Sequence, residues 1–114
     1  MITITDIEKI NSELQIHKGS DVKIYSFVLT HQKLFIRLSH HSTQDIIYVI
    51  AAGCEKIKAS FDWTNSHLKV KRITNEPISE NVIQITDTES GFELVASGGI
   101  VLAKGSSEEL DILF

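Results

Sequence analysis

The side chains of His40, His41 and Asp45 form the most metal-like group in this sequence. Imidazole and carboxylate groups are common ligands of zinc and similar ions. Neighbouring side chains on a strand point to opposite faces, so both histidines bind one ion only if this segment is a loop. No second group with metal-ligand spacing accompanies them, which favours solvated turn residues. The sequence therefore predicts neither a metal nor any other cofactor, and metal or small-ligand binding through His40, His41 and Asp45 is kept as an alternative.

Cys54 is the only cysteine and therefore the only candidate thiol nucleophile. A reactive thiolate needs a base or a positive charge nearby, and Lys56 is expected on the same face of the strand. A single cysteine beside an apolar strand is more typical of a small buried hydrophobic residue. Lys104 precedes Gly105, the wrong order for a phosphate-binding loop, so we expect a turn over residues 104–107. With no complete catalytic constellation, the sequence predicts that the protein is not an enzyme.

Charge is distributed unevenly along the chain. Residues 56–72 carry a net charge of +4 and residues 73–114 a net charge of −7, in a chain whose total is −4. A concentrated acidic surface is suited to steering and binding a basic partner. We therefore predict a non-enzymatic protein-binding module that uses an acidic surface to bind another protein. The predicted partner-binding residues are Glu89, Glu93, Glu108, Glu109 and Asp111.

Four lysines of the basic segment are predicted to share the outer face of a hairpin. Lys56 and Lys58 alternate with apolar residues in one segment, and Lys69 and Lys71 do so in the next. Like charges opposite one another on a sheet are unfavourable by a few tenths of a kcal/mol or more, so acids must offset them. These acids are expected either on an adjacent strand, such as Glu55, Asp87 or Glu93, or on the acidic surface of a partner. Nucleic-acid binding is not expected, because the chain is acidic and exposed aromatic residues do not accompany the lysines.

Period-two alternation of apolar residues predicts strands over most of the chain. Residues 22–29 are apolar on both faces and are predicted to form a central strand, and residues 46–52 a buried strand before a bend at Gly53. A loop is predicted around Asn75, Glu76 and Pro77. The other predicted strands include residues 54–61, 82–88, 92–97, 100–103 and 110–114.

Only the first residues of the chain have a helical pattern. Thr5 and Glu8 have the spacing of a capping box, and Ile7, Ile10 and Leu14 recur at helical intervals. Such a short helix is unstable alone, so its apolar side must dock on a sheet. The predicted fold class is mainly β: an antiparallel β sandwich or partly open barrel with a short N-terminal helix, formed as a single domain by residues 1–114.

Length and composition predict a soluble cytoplasmic protein. A chain of 114 residues is long enough to bury a core without covalent cross-links, and one cysteine excludes an internal disulfide. The first residues lack the pattern of a signal peptide. The longest apolar stretch, residues 46–53, is far shorter than the roughly 20 residues of a membrane-spanning helix. We therefore expect no membrane partner.

Residues 46–54 (IIYVIAAGC), Trp63 and residues 87–94 (DTESGFEL) resemble small bacterial β-rich proteins. Some families of this kind are similar to the immunity proteins of polymorphic toxin systems, which neutralise a toxin by binding it. The resemblance implies a non-enzymatic, protein-binding role, and an acidic surface would suit a basic target such as a nuclease toxin. A further alternative is a homo-oligomeric structural subunit, for instance a homodimer whose exposed strand edges pair across a two-fold axis.

Overall fold

Two antiparallel sheets make up the fold in the computed structural model, which describes residues 1–74 and 81–114. The predicted loop around Asn75, Glu76 and Pro77 lies outside these residues. The six-stranded sheet has the order β1-β10-β4-β3-β2-β6, with β1 (Ile2–Ile4), β2 (Asp21–Val28), β3 (Lys33–Ser39), β4 (Asp45–Ala51), β6 (Asp62–Trp63) and β10 (Ile100–Ser106). The four-stranded sheet has the order β5-β9-β8-β7, with β5 (Cys54–Lys58), β7 (Leu68–Thr74), β8 (Asn81–Asp87) and β9 (Phe92–Ala96). With the helices α1 (Ile7–Ile16) and α2 (Ser107–Leu113), this architecture confirms the predicted mainly-β class with an N-terminal helix.

A bent two-stranded ribbon joins the two sheets. β4 pairs with β10 in the six-stranded sheet, and their continuations β5 and β9 pair in the four-stranded sheet. The ribbon bends at Gly53, as predicted, where φ is +64° and an added Cβ would lie 2.7 Å from the backbone nitrogen of Gly98. Only glycine adopts this conformation in so little space. The described sheets therefore form a partly open sandwich without a closed barrel.

The core lies between the sheets and takes alternate residues from both. Ile36, Val49 and Leu102 of the six-stranded sheet are fully buried against Ile85 and Leu94 of the four-stranded sheet. The period-two alternation predicted this division, because successive side chains on a strand point to opposite faces. Burying side chains of this size stabilises a fold by roughly 1.5–3 kcal/mol each.

Helix α1 closes one side of the sandwich. Ile10 and Leu14 are buried in the core, as their spacing predicts. Asp6 is the N-cap and accepts a hydrogen bond from the backbone of Lys9 at 3.3 Å, so the predicted capping role of Thr5 is wrong by one residue. Asn11 covers the edge of the four-stranded sheet. Its Nδ2 donates to the carbonyl oxygen of Val70 at 2.8 Å, and its Oδ1 accepts from the Val70 amide at 2.8 Å.

Replacing Asn11 with alanine is expected to lower the free energy of unfolding by about 1–3 kcal/mol, because both Val70 backbone groups lose their partner. Urea denaturation measures this difference. Gln15→Ala is the matched control on the same helix, since Gln15 is exposed, and we expect its effect to stay within about 0.5 kcal/mol. Equal effects of the two substitutions would show that α1 does not depend on this amide pairing.

Residues 107–113 are helical, so the strand predicted over residues 110–114 is wrong. Ser106 is the N-cap of α2, and its hydroxyl accepts a hydrogen bond from the Glu109 amide at 3.2 Å. The turn predicted over residues 104–107 is also wrong, because β10 runs directly into this cap. Leu110 is fully buried against Tyr48 and Ala103, on the outer face of the six-stranded sheet. The segment predicted as a strand is therefore part of a helix that packs on the sheet through Leu110.

Strand β2 is not central, contrary to the sequence prediction. Its neighbour β6 pairs only with Val22 and Lys23, and the Ile24 amide then bonds to the carbonyl oxygen of Phe61 at 2.8 Å. Beyond Ile24, no described strand continues the sheet on that side. Apolar residues on both faces of this strand therefore reflect an open edge and not a central position.

Candidate functional site

The outer face of the four-stranded sheet gathers the four lysines of the basic segment. The strand registers place Lys58 opposite Glu93 and Lys69 opposite Thr86, with Glu93 and Thr86 paired between them. We call the outward surface of this sheet the lysine face; its residues are Lys56, Lys58, Lys69, Lys71, Gln84, Thr86, Glu93 and Val95. The intervening residues, such as Ile85 and Leu94, are buried in the core.

The predicted hairpin between the two lysine pairs is wrong, although all four lysines do share a face. β5 and β7 are the two edges of the sheet, and β8 and β9 lie between them. Strands in a sheet are about 4.8 Å apart, so the two lysine pairs are about 14 Å from each other. This distance exceeds the screening length of roughly 8–10 Å at physiological salt, so repulsion between the pairs is weak.

The lysine face keeps most of its positive charge. Glu93 is its only carboxylate and lies opposite Lys58 on the neighbouring strand. Among residues 1–74 and 81–114, no carboxylate lies within ion-pairing distance of Lys56, Lys58, Lys69 or Lys71. Four ammonium groups and one carboxylate leave a net positive surface on an acidic protein.

The centre of the lysine face is polar and shallow. Gln84, Glu93 and Val95 form the floor of an open hollow of about 370 Å³ flanked by Lys56 and Lys58. Gln84 also borders a second hollow beside the other lysine pair, which extends to the polar side of α1. The face therefore offers amide and hydroxyl hydrogen-bonding groups in the middle and positive charge at both edges.

The five predicted partner-binding acids are divided between two surfaces. Glu93 lies on the lysine face, and Glu89 is exposed in the turn between β8 and β9. Glu108 and Glu109 lie in the first turn of α2, which packs on the outer face of the other sheet. Asp111 lies on the same helix. Partner binding through these acids stays a prediction, but the structure does not gather them into one acidic surface.

Two of these acids have partners within the chain. Glu109 lies 2.8 Å from the amino group of Met1. Asp111 accepts two hydrogen bonds from Arg37, from Nε at 3.0 Å and from Nη2 at 3.1 Å, and a third from the hydroxyl of Tyr48. The hydrogen bonds from Arg37 hold the pKa of Asp111 below its ordinary value, and burial raises the pKa of Tyr48. Asp111 therefore fastens α2 to the six-stranded sheet.

The metal-like group is held in a loop but is not assembled around one point. The rings of His40 and His41 stack with their centroids 4.5 Å apart, and Nδ1 of His40 accepts a hydrogen bond from the Ser42 amide at 3.1 Å. His40 and Asp45 border a hollow with Lys18 and Lys104, whose charges oppose a cation. In the described ranges, no group of three or more His, Cys, Asp or Glu residues is placed to hold a metal ion.

His17 borders the same hollow. Its Nε2 lies 3.7 Å from the carboxylate of Glu13, which also takes an ion pair from Lys104 at 3.4 Å. Burial and the charge of Lys104 lower the pKa of His17. The neutral ring therefore packs beside an ion pair that joins α1 to β10.

Cys54 lies in an environment that suppresses the thiolate. A bulge between Cys54 and Lys56 shifts the strand register, so the lysine points to the outer face and the thiol packs against the core. The prediction that Cys54 and Lys56 share one face of the strand is therefore wrong. Sγ lies 3.5 Å from the carbonyl oxygen of Ala51, and burial raises the pKa of the thiol. A raised pKa leaves little of the nucleophilic form near neutral pH.

Asp87 is a buried carboxylate whose role the sequence did not indicate. One oxygen accepts from Trp63 Nε1 and the His67 amide, both at 2.9 Å. The other accepts from the amides of Glu89 and Ser90, at 3.0 and 3.2 Å. With 1% of its surface exposed, Asp87 is not available to the lysines that it was expected to offset. It ties β6 and the start of β7 to the turn between β8 and β9.

Comparison with protein-family models, with curated proteins and with solved structures finds no match for this chain. Within the described part of the chain, neither helix has the length and apolar character needed to span a membrane.

Proposed function

We propose that the protein is a non-enzymatic binding module that uses the lysine face to recognise an acidic surface of a partner protein. The observation that supports this proposal is the register that brings Lys56, Lys58, Lys69 and Lys71 onto one face without ion-pair partners among the described residues. Complementary charge across an interface raises the association rate and selects the partner.

A protein partner suits this face better than a nucleic acid. Proteins that bind single strands stack bases on aromatic side chains, and the lysine face has none. Its floor offers Gln84 and Thr86 as hydrogen-bonding groups, and Glu93 would repel a continuous phosphate backbone. An acidic protein surface tolerates this carboxylate, because its charges are discrete and can be placed around it.

The proposal keeps the protein-binding role that the resemblance to immunity proteins implies, and it changes the expected charge of the partner. An acidic binding surface would have suited a basic toxin, but the predicted acids lie on two sides of the molecule. The lysine face instead gathers four lysines around one carboxylate, so we expect the partner to present carboxylates to it.

The test replaces Lys56, Lys58, Lys69 and Lys71 together with glutamine. Poly-L-glutamate labelled for fluorescence anisotropy serves as the acidic polypeptide probe, at several salt concentrations. We expect the substitutions to weaken binding by at least about tenfold, a loss of about 1.4 kcal/mol. We also expect the binding of the unmodified chain to weaken steadily with salt.

The matched control replaces four lysines outside the lysine face with glutamine, which removes the same charge. These are Lys9, Lys18, Lys23 and Lys33. We expect the control to weaken binding by less than about threefold. Equal losses in both variants would show that net charge and not the lysine face attracts the probe. Tighter binding of a labelled single-stranded oligonucleotide than of poly-L-glutamate would contradict the choice of a protein partner.

A further inference from the structure

The two open sides of the sandwich differ in whether a helix covers them. On one side, α1 inserts Ile10 and Leu14 into the core and pairs Asn11 with the edge strand β7. On the other side lie the edges β2 and β5, and the three-residue link 59–61 joins the end of β5 to β6 beside β2. No described α-helix covers this second side; a short 3₁₀ turn, Thr30–Gln32, lies only at its end, where the Gly53 amide bonds to the carbonyl oxygen of His31 at 2.9 Å.

Apolar side chains are concentrated at the uncovered side. Ile57 pairs with the buried Leu94 and so points toward the core, yet 51% of its surface is exposed. Phe27 pairs with the buried Leu34 and is 49% exposed. Eleven large apolar residues are exposed among those described, and six of them belong to β2, β5 or the segments that follow these strands. These six are Tyr25, Phe27, Val28, Leu29, Ile57 and Phe61.

The backbone of β2 shows which kind of secondary structure can pair with this edge. β3 pairs with one side of the strand from Asp21 to Val28, with a bulge at Tyr25. On the other side, pairing ends where the Ile24 amide bonds to Phe61, and the backbone groups of residues 25–28 on that side meet no described partner. A row of free amides and carbonyls beside apolar side chains is a template for another strand and not for a helix.

We propose that this edge is filled by residues 25–28 of a second copy of the chain, in an antiparallel arrangement. The segment (YSFV) is uncharged and rich in β-formers, so it supplies the kind of strand that its own edge accepts. With Phe27 on the two-fold axis, Ser26 lies opposite Val28 of the second copy, and no like charges meet. Leu29 ends the pairing, because its backbone is helical and its carbonyl oxygen accepts from the Gln32 amide at 3.0 Å. Phe61 sets the limit of the pairing, because it already occupies the position opposite Ile24.

The other edge at this side does not allow the same pairing. Two copies of β5 in antiparallel register would place Lys56 or Lys58 opposite a lysine, or Glu55 opposite Glu55. Charged side chains on an edge strand are a common device against self-association, and like charges directly opposite are destabilising. The contrast between an uncharged β2 edge and a charged β5 edge selects β2 as the contact.

Sedimentation of the full chain from about 10 µM to about 1 mM tests the proposal, since a dissociation constant in this range gives a measurable dimer fraction. We expect the average mass to rise from 12.8 kDa toward twice that value. Phe27→Lys and Val28→Lys are expected to raise the dissociation constant by at least about tenfold, because each brings charge to the paired edge. Ile112→Lys is the matched control, since Ile112 is an exposed apolar residue of α2.

Hydrogen exchange of the unmodified chain gives a second readout that needs no variant. Amides within residues 25–28 are expected to exchange more slowly at high than at low protein concentration, whereas those of β5 are expected to be unaffected. A monomer at about 1 mM, or a dimer that Phe27→Lys and Ile112→Lys weaken equally, would overturn the proposal. Concentration-dependent protection of β5 with none at β2 would overturn it as well.

Discussion

Replacing Asp87 with asparagine is expected to lower the free energy of unfolding by about 3–5 kcal/mol. The buried carboxylate accepts four hydrogen bonds, two on each oxygen. Asparagine keeps one acceptor oxygen and replaces the other with an NH2 group. This group cannot accept the two hydrogen bonds that the replaced oxygen accepts in the unmodified chain. Either Trp63 and His67 or the turn amides then lose their acceptor inside the protein. A buried donor without a partner costs about 1–3 kcal/mol, so the two losses account for most of the effect.

Urea denaturation followed by the fluorescence of Trp63 measures this loss, because Trp63 is the only tryptophan and donates to Asp87 directly. Glu89→Gln is the matched control. It makes the same change from acid to amide two residues away, at an exposed side chain, and we expect an effect within about 0.5 kcal/mol. A loss below about 1 kcal/mol for Asp87→Asn would show that the turn does not depend on the carboxylate.

The pH dependence of the same pair gives an independent check with a definite sign. Burial alone would raise the pKa of Asp87, but the hydrogen bonds from His67, Trp63 and the turn outweigh it and hold the pKa below its ordinary value. A carboxyl group with a lowered pKa stabilises the fold above its unfolded pKa of about 3.9 and loses that contribution as the pH falls through the folded value. The difference between the unmodified chain and Asp87→Asn should therefore be constant near neutral pH and shrink in acid.

The face of each lysine could be predicted from the sequence because, within a regular stretch of strand, it depends only on the local period; the rule fails at Cys54, where a bulge interrupts that period. Lys56, Lys58, Lys69 and Lys71 were expected to point outward together, and they do, although the pairing expected for them is wrong. A side chain points away from the core whichever strand lies beside it, so an error in strand order leaves the face unchanged. The sequence therefore predicts which lysines share the face, but not the order of the strands that carry them.

Strand order could not be predicted, because it depends on contacts between distant residues. β5 pairs with residues of β9 that lie 35 to 42 positions further along the chain, and β4 pairs with residues of β10 that lie 49 to 61 positions further along. Residues 22–29 look the same whether their apolar sides are covered by neighbouring strands or left at an open edge. The edge of β2 is open because its neighbour β6 is only two residues long. The length of β6 cannot be inferred from the residues of β2.

The error at the end of the chain has a different cause, since a local signal was present. Ser106 and Glu109 have capping-box spacing, the same signature that indicated α1. Short apolar runs fit a strand or one side of a helix equally well by period alone. The capping-box spacing is therefore the signal that favours a helix over residues 107–113. The capping rule was imprecise at α1, where Asp6 and not Thr5 is the N-cap, but it identified a real helix there, and the same spacing is present at the start of α2.

The proposed dimer and the lysine face are compatible, because they use different sheets. Pairing two β2 edges extends the six-stranded sheet, and a two-fold axis perpendicular to that sheet preserves the direction of its faces. Both four-stranded sheets then lie on the same side of the extended sheet, with Lys56 and Lys69 and their neighbours exposed in each copy. A partner with repeated acidic segments would meet two lysine faces at once, which strengthens binding without any new contact.

Leu110→Ala is expected to lower the free energy of unfolding by about 2–4 kcal/mol, because it removes the buried side chain that holds α2 on the sheet. A seven-residue helix has little stability of its own, so it depends on this contact and on the bonds from Arg37 and Tyr48 to Asp111.

Ile112→Ala is the control on the same helix, since Ile112 is 84% exposed, and we expect a change within about 0.5 kcal/mol. Denaturation gives the two free energies, and hydrogen exchange over residues 107–114 shows where they act. Faster exchange in Leu110→Ala confined to α2 would mean that the helix detaches while the two sheets persist. Equal costs for the two substitutions would contradict the packing of α2, because only a docked helix distinguishes its buried side from its exposed one.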